Sequence, residues 1–467
     1  MKQPMHSELI YQLDDRPPPA ESFFAALQHV LASLVGIMTP PLIITSALGL
    51  NIADSAYIIS MSLFVSGIAT FIQARRFGPV GSGLLSVQGT SFAFVGPIIG
   101  VALAVQAEAG VETALATLFG VIIAGSFIEM FLSRFLHFAR RVITPVVTGV
   151  VVTLIGLTLI KVGLIAIGGG FYVMTNIPDA FASLTNLGLA GLVLAIILFF
   201  NMSKNPILRM SSIVIGLAVG YALAAFLGMI DFSRLSNLSA VSVPEPFKYG
   251  LEFSFAAFLP IAIIYLITAV ESIGDLTATS MISRQPVEGE KYMKRIKGGV
   301  LADGINSALA GIFCTFPNTT FSQNNGVIQL TGVASRYVAF FIAGIFVVLG
   351  LSPLLAGVLR IMPEPVLGGA TILMFGTVAV AGIRILATQH LGSREILIVA
   401  VSLGIGLGVT IVPDILKNIA PPEIKNVFSS GITAGGLTAI LLSLVLPHRP
   451  VSTQKESPQR ATGAGNE

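Results

Sequence analysis

Apolar runs, each about as long as a bilayer is thick, fill most of this 467-residue chain, and its charges sit between them. A membrane helix needs about 20 mostly apolar residues. Candidate spans are read near 23–48, 53–74, 82–103, 113–133, 142–162, 186–203, 208–229, 256–282, 298–315, 318–333, 336–358, 364–384, 395–413 and 430–447, fourteen in all. Hydrophobic residues make up 54% of the chain and charged residues 10%, with a mean hydropathy of +0.88. Ordinary soluble proteins carry about 25% charged residues. The shortage of wettable surface excludes a soluble enzyme, a nucleic-acid-binding protein and a disordered chain. It leaves an all-α polytopic membrane protein.

The charges test the span count. With the N-terminus inside, fourteen spans return the C-terminus inside, and the inner segments then hold 20 of the 26 Lys and Arg. The outer segments hold Lys161, Arg234, Lys248, Arg360, Lys417 and Lys425. Cytoplasmic loops are expected to carry this excess. Residues 1–22 and 448–467 are expected as cytosolic tails. The first is polar, with Asp14, Asp15, Arg16 and a run of prolines, and does not resemble a cleavable leader. The single cysteine, Cys314, lies among apolar residues and reads as core filler.

Two spans are poor helices. The stretch at 82–103 carries Gly83, Gln88, Gly89, Thr90 and Ser91; that at 318–333 carries Asn318, Thr319, Thr320, Ser322, Gln323, Asn324 and Asn325. Lipid cannot satisfy such groups, so both segments must be shielded by protein or line a cavity. They occupy equivalent places in an internal repeat. Pro145-Val146-Val147-Thr148-Gly149 resembles Pro365-Val366-Leu367-Gly368-Gly369, and Gly89-Thr90-Ser91-Phe92 resembles Asn318-Thr319-Thr320-Phe321. Each broken span is third in a seven-span half, 23–232 or 233–447. Seven is odd, so the halves are inverted relative to one another. Paired broken spans in inverted repeats point to a transporter site near mid-membrane.

The clear acids within spans are Glu129, Glu271, Asp275 and Asp303. Ionisable groups there are functional-site candidates. Glu271 and Asp275, at i and i+4, share one helix face. Two carboxylates so close in low dielectric coexist only with cations or protons, which leads to the expectation of a proton-responsive site. Asp303 is expected to join it from the next helix. Asp275 is read either as a coupling group or as a hydrogen-bond partner of neighbouring backbone. Glu129 is read as an interfacial ion pair with Arg134, and Gln28-His29 as part of the site network. No phosphate-binding loop, metal-ligand cluster or nucleophile–base constellation is visible, so neither enzyme activity nor a cofactor or metal is expected.

These residues resemble the nucleobase–ascorbate transporter family, also called nucleobase:cation symporter-2. Its signature, [Q/E/P]-N-x-G-x-x-x-x-T-[R/K/G], is matched by Gln323-Asn324-Asn325-Gly326-Val327-Ile328-Gln329-Leu330-Thr331-Gly332. Gln28-His29 matches the family's first-span motif. Glu271 with Gly274 and Asp275 matches the eighth-span motif. The resemblance runs from about 23 to 447 and is strongest to the bacterial xanthine permeases.

The resemblance implies fourteen spans in two inverted seven-span repeats. Spans 1–4 and 8–11 would form a core domain and spans 5–7 and 12–14 a gate domain, with short strands in the third and tenth spans. It further implies a homodimer in the cell inner membrane and proton-coupled import of xanthine and/or uric acid by alternating access. Glu271 would accept from purine N–H groups, and the Gln323 amide would pair with the other edge. Ser91, Phe92 and Ser322 would complete the pocket, with Phe92 offering a stacking face. His29, Gln28, Asp275, Asp303 and Asn324 would form the surrounding coupling network. Ser91 is a departure: close xanthine permeases tend to carry Asn there, and a smaller side chain leaves room for the C8 oxygen of uric acid. An anion exchanger of the same architecture is one alternative; a non-transporting membrane receptor is the other.

Overall fold

The computed structural model describes residues 9–447 apart from 137–143, 206–207, 210, 236–238, 322, 390, 419–427 and 429. Ser322 and the expected tail at 448–467 therefore lie outside the described residues.

The first half of the chain opens with α1 (Pro19–Ala47) and α2 (Ile52–Arg75). Proline begins α1, where its missing N–H has no helical partner to lose. Asn51 caps α2 by accepting from the Asp54 N–H at 2.8 Å. Next come a short strand β1 (Gln88–Thr90), a single turn Phe92–Phe94 and the 40-residue α3 (Val95–Arg134). A straight helix of that length would be about 60 Å long, roughly twice the hydrocarbon core. Gly110, at φ 88° and ψ 171°, breaks it. The expected third and fourth spans thus share one helical run interrupted at a glycine. The half ends with α4 (Pro145–Gly168), α5 (Leu184–Asn201) and α6 (Ser212–Phe226).

The second half begins with α7 (Phe255–Ile282) and α8 (Gly289–Ile312). The latter starts well before its apolar run, and its first charged turn is bridged by Lys294 and Glu290 at 2.7 Å. Strand β2 (Asn318–Thr320) and α9 (Gln323–Thr331) follow. The sequence suggests one span at 336–358. There the structure has a bent pair, α10 (Val338–Gly350) and α11 (Pro353–Arg360), with 72° between them. Pro353 is the cause: it holds Ser352 out of the helical region, at φ −110° and ψ 93°. The chain closes with α12 (Glu364–Ala387), α13 (Ser393–Ile411) and α14 (Gly431–Val445). Among the described residues, eight helices are long and apolar enough to cross a membrane, nine with the bent pair counted as one.

The helices pack as two groups. In one, α2 packs on α1, α10 and α11, and α3 packs on α7 and α8. In the other, α4 packs on α12, α13 and α14, and α5 packs on α6 and α12. The groups meet where α7 touches α4 and α14, and where α1 touches α6. Close approach of backbones welds α4 to α12: a Cβ on Gly156 would lie 2.2 Å from the Ala379 nitrogen. Small residues allow this contact, which replaces the hydrophobic drive that lipid removes.

Strands β1 and β2 pair antiparallel, with Gln88 opposite Thr320, Gly89 opposite Thr319 and Thr90 opposite Asn318. The Ser91 N–H donates to Pro317 O at 2.9 Å and the Phe321 N–H to Val87 O at 3.0 Å, extending the ladder at both ends. All six strand residues are buried. Each broken segment thereby satisfies the other's backbone, which is the condition for non-helical chain at membrane depth.

Residues 9–16, within the expected N-terminal tail, lie along the turn that leads from α9 to α10. The Ala334 N–H donates to Tyr11 O and the Arg336 N–H to Leu13 O. Arg336 also pairs with Asp14 at 2.8 Å.

Candidate functional site

The strand pair sets the site. Just beyond β1, Ser91 is buried and its Oγ accepts from the Ala93 N–H at 3.3 Å, capping the turn that starts α3. Phe92 is half-buried and meets Phe375 of α12 edge-on, with ring centroids 5.7 Å apart. Just beyond β2, Gln323 is the first residue of α9 and is exposed. Two helices thus begin from the two strands, each presenting backbone N–H groups at its start.

Helix α7 lies alongside. Asp275 accepts from Thr320 Oγ1 of β2 at 3.1 Å. One turn later, Thr279 Oγ1 donates to Asn325 Oδ1 of α9 at 2.7 Å. These bonds fasten the acidic face of α7 to the second broken segment. Asp275 therefore bonds a threonine side chain, not neighbouring backbone as its alternative reading held. Glu271, one turn earlier on the same face, is half-buried, and its Oε2 has no hydrogen-bond partner. It is the polar end of a narrow crevice lined by Val147, Thr148, Val151 and Val152 of α4, Ile267 and Val270 of α7, and Ile440 of α14. That crevice lies between the two helix groups.

Asp303 is fully buried on α8. It accepts from Gln73 Nε2 of α2 at 3.0 Å and from Ser272 Oγ of α7. Gln73 is itself held, its Oε1 accepting from the Ser82 N–H at 2.8 Å. Ser272 also lies 3.3 Å from Thr319 Oγ1 of β2. Asp303 thus joins the acidic group through a hydroxyl rather than by facing the crevice.

On the opposite side, Asn324 donates through Nδ2 to Leu85 O at 2.6 Å, while its Oδ1 is buried without a partner. His29 of α1 is 0% exposed, lies beside Asn324, and has no geometric hydrogen bond to either ring nitrogen. Gln28 Oε1 is likewise buried and unpartnered.

Two residues were not singled out by the sequence. Gln73, an amide late in the apolar second span, was a visible signal; its partner lies 230 positions away. Gln88 stands in the sequence as one of several polar residues of its segment; it is 0% exposed with neither amide atom bonded. One reading is corrected. Glu129 forms no ion pair with Arg134: it is 1% exposed, and neither carboxylate oxygen has a hydrogen-bond partner. Residues five apart point about 140° away from each other around a helix, whereas pairs form at three or four.

A family model described as "Permease family" matches residues 20–415. The chain is similar to xanthine permease XanP of Escherichia coli strain K12, 54% identical over 448 residues, covering 95% of this chain and 96% of that protein. It is also similar to xanthine permease XanQ of the same strain, 48% identical over 442 residues and 94% of each chain. Among solved structures it resembles the murine anion transporter Slc26a9 in its inward-facing state. The TM-score is 0.62 at 12% identity, over 92% of this chain and 68% of that one. At that identity the likeness speaks for the fold alone.

Proposed function

The chain belongs to the permease family of nucleobase–ascorbate transporters, and from that premise we propose that it is a proton-coupled symporter of oxidised purines, xanthine and/or uric acid. The observation that carries this reading is Glu271: a carboxylate with a free oxygen, opening on a crevice between two helix groups. In the ionised form such a group only accepts hydrogen bonds, so it suits the N–H edge of a purine dione. A small inorganic anion offers it no N–H to accept from, which weighs against the exchanger reading despite the shared fold.

The proposed binding mode sets the base between the starts of α3 and α9. Glu271 accepts from ring N–H groups. The Gln323 amide donates to a ring carbonyl and accepts from its neighbouring N–H. Phe92 supplies apolar surface. A site that pairs several polar groups discriminates strongly against analogues lacking them, so adenine is excluded while uric acid, with one more carbonyl, fits beside the small Ser91.

In this reading the group containing α1–α3 and α7–α11 is the core and the group containing α4–α6 and α12–α14 is the gate. The core carries the base and the gate forms the opposing wall, lined by Val147, Val151 and Ile440. Alternating access is the movement of one against the other. The fourteen crossings, the cytoplasmic termini, the inner-membrane location and the homodimer belong to the same proposal.

The test is uptake of radiolabelled xanthine into cells expressing the chain, with and without a protonophore, competed by unlabelled uric acid, uracil and adenine. Uptake abolished by the protonophore and competed by uric acid is the expected result. No uptake by cells in which the protein reaches the membrane would overturn the proposal.

A further inference from the structure

Of the acids well inside the spans, Glu129, Glu271, Asp275 and Asp303, three already have work to do. Glu271 opens on the crevice. Asp275 is tied to Thr320. Asp303 is tied to both Gln73 and Ser272. Glu129 has neither a ligand-facing position nor a donor, yet it is 1% exposed. A buried carboxyl with no partner is costly unless something that comes and goes at that place accounts for it.

The packing around Glu129 is specific. Helix α3 runs against α8 at Gly304, where a Cβ would lie 2.9 Å from the Met130 nitrogen and 3.0 Å from Ser126 O. Those two residues flank Glu129, and Gly304 directly follows Asp303. The missing side chain is therefore what lets α8 bring Asp303 up to the Glu129 turn. On the other side, Tyr265 of α7 donates to Ile122 O at 3.0 Å, pinning α7 to α3 two turns earlier. The charged groups that act on Glu129 are Asp303 from α8 and Glu271 from α7, both acids; Tyr265 is its other titratable neighbour. Arg134, on its own helix, is exposed. One turn beyond Asp303, Asn306 is also fully buried with both amide atoms unbonded.

We propose that Glu129 is the residence site of the coupled proton, while Glu271 is the contact for the base. This rests on the proton-symport reading above and divides its labour between two carboxyls. Proton uptake at Glu129 removes a negative charge that Asp303 and Glu271 both feel, and release restores it. Binding at Glu271 and protonation at Glu129 are then linked through charge, and by reciprocity each favours the other. The step is a simple association: a carboxylate and a proton from one side form a carboxylic acid, and the same proton leaves to the other side.

The experiment uses the full chain in proteoliposomes, with Glu129→Gln and Glu129→Asp beside the parent. Two modes are measured: xanthine accumulation driven by an inward pH gradient, and xanthine counterflow, which needs no gradient. A gradient of about one pH unit supports roughly tenfold accumulation for one coupled proton. Glu129→Gln should equilibrate xanthine without accumulating it, keep counterflow, and lose the pH dependence of uptake. Glu129→Asp should recover accumulation in part. A merely structural role would lower both modes together and leave the pH profile unchanged, and that result would overturn the proposal, as would accumulation by Glu129→Gln equal to the parent's. If the parent itself moves no xanthine, the proposed function has failed rather than this inference. Infrared difference spectra across pH then decide the inference alone: a protonated-carboxyl stretch present in the parent and missing in Glu129→Gln supports it, and identical spectra refute it.

Discussion

The two helix groups bury different kinds of polar side chain. Every buried amide, carboxyl or imidazole among the described residues belongs to α1–α3, α8, α9 or the strand pair: His29, Gln73, Gln88, Glu129, Asp303, Asn306, Asn318, Asn324 and Asn325. Among the described residues the group of α4–α6 and α12–α14 buries hydroxyls, Thr148, Thr153, Ser212, Thr371, Ser402, Thr433 and Ser443, with the half-buried Glu364 at the start of α12 as its exception. A helical hydroxyl can satisfy itself on its own backbone, as Thr153 does on Gly149 O at 2.7 Å. An amide or carboxyl needs a partner from elsewhere, be it protein, substrate or proton. One group is thus built to hold something polar in the membrane, and the other to be a stiff apolar body against which it works.

The largest effect that would break this contrast is at Glu271. Glu271→Gln is expected to lower xanthine uptake roughly 10- to 100-fold, the usual loss for a hydrogen bond to a charged group; near-normal uptake at equal membrane abundance would remove its role. Next is Gln73→Leu, which removes one of the two donors to the buried Asp303 carboxyl and leaves only Ser272. Unfolding in detergent should show a loss of about 1–3 kcal/mol, with an unchanged midpoint as the contrary result. In the apolar group, Gly156→Val should cost a similar 1–3 kcal/mol through overpacking against Ala379. Substrate competition profiles in whatever protein survives should not change. A shift in the order of uric acid and uracil as competitors would mean that this group also reads the base. Ser91→Asn should weaken uric acid as a competitor severalfold while sparing xanthine. Equal weakening of both would show that Ser91 does not sense the C8 side. The smallest effect is expected at Ser402→Ala, within about 0.5 kcal/mol in stability and with no change in uptake.

The contrast was partly legible in the sequence. Clustered glycines and amides marked 82–103 and 318–333 as unable to form ordinary lipid-facing helices, because their polar groups would go unsatisfied. The i, i+4 spacing of Glu271 and Asp275 placed them on one face of α7, and Thr320 and Asn325 meet that face. What the sequence hid depends on contacts across long separations. Gln73 and Asp303 are brought together only when α2 and α8 pack. Arg134 is near Glu129 in sequence and suggests an ion pair, but a five-residue spacing turns it to another side of the helix. The bend between α10 and α11 follows from one proline inside an otherwise apolar run.

The most direct measurement is of proton movement itself. Proteoliposomes containing the chain and an internal pH dye would be given xanthine outside, with no imposed pH gradient or membrane potential. Acidification of the lumen that follows the xanthine gradient, saturates with xanthine and disappears in Glu271→Gln is the expected result. Entry of labelled xanthine with no change in internal pH would contradict the account, leaving a carrier whose buried acids serve some other purpose.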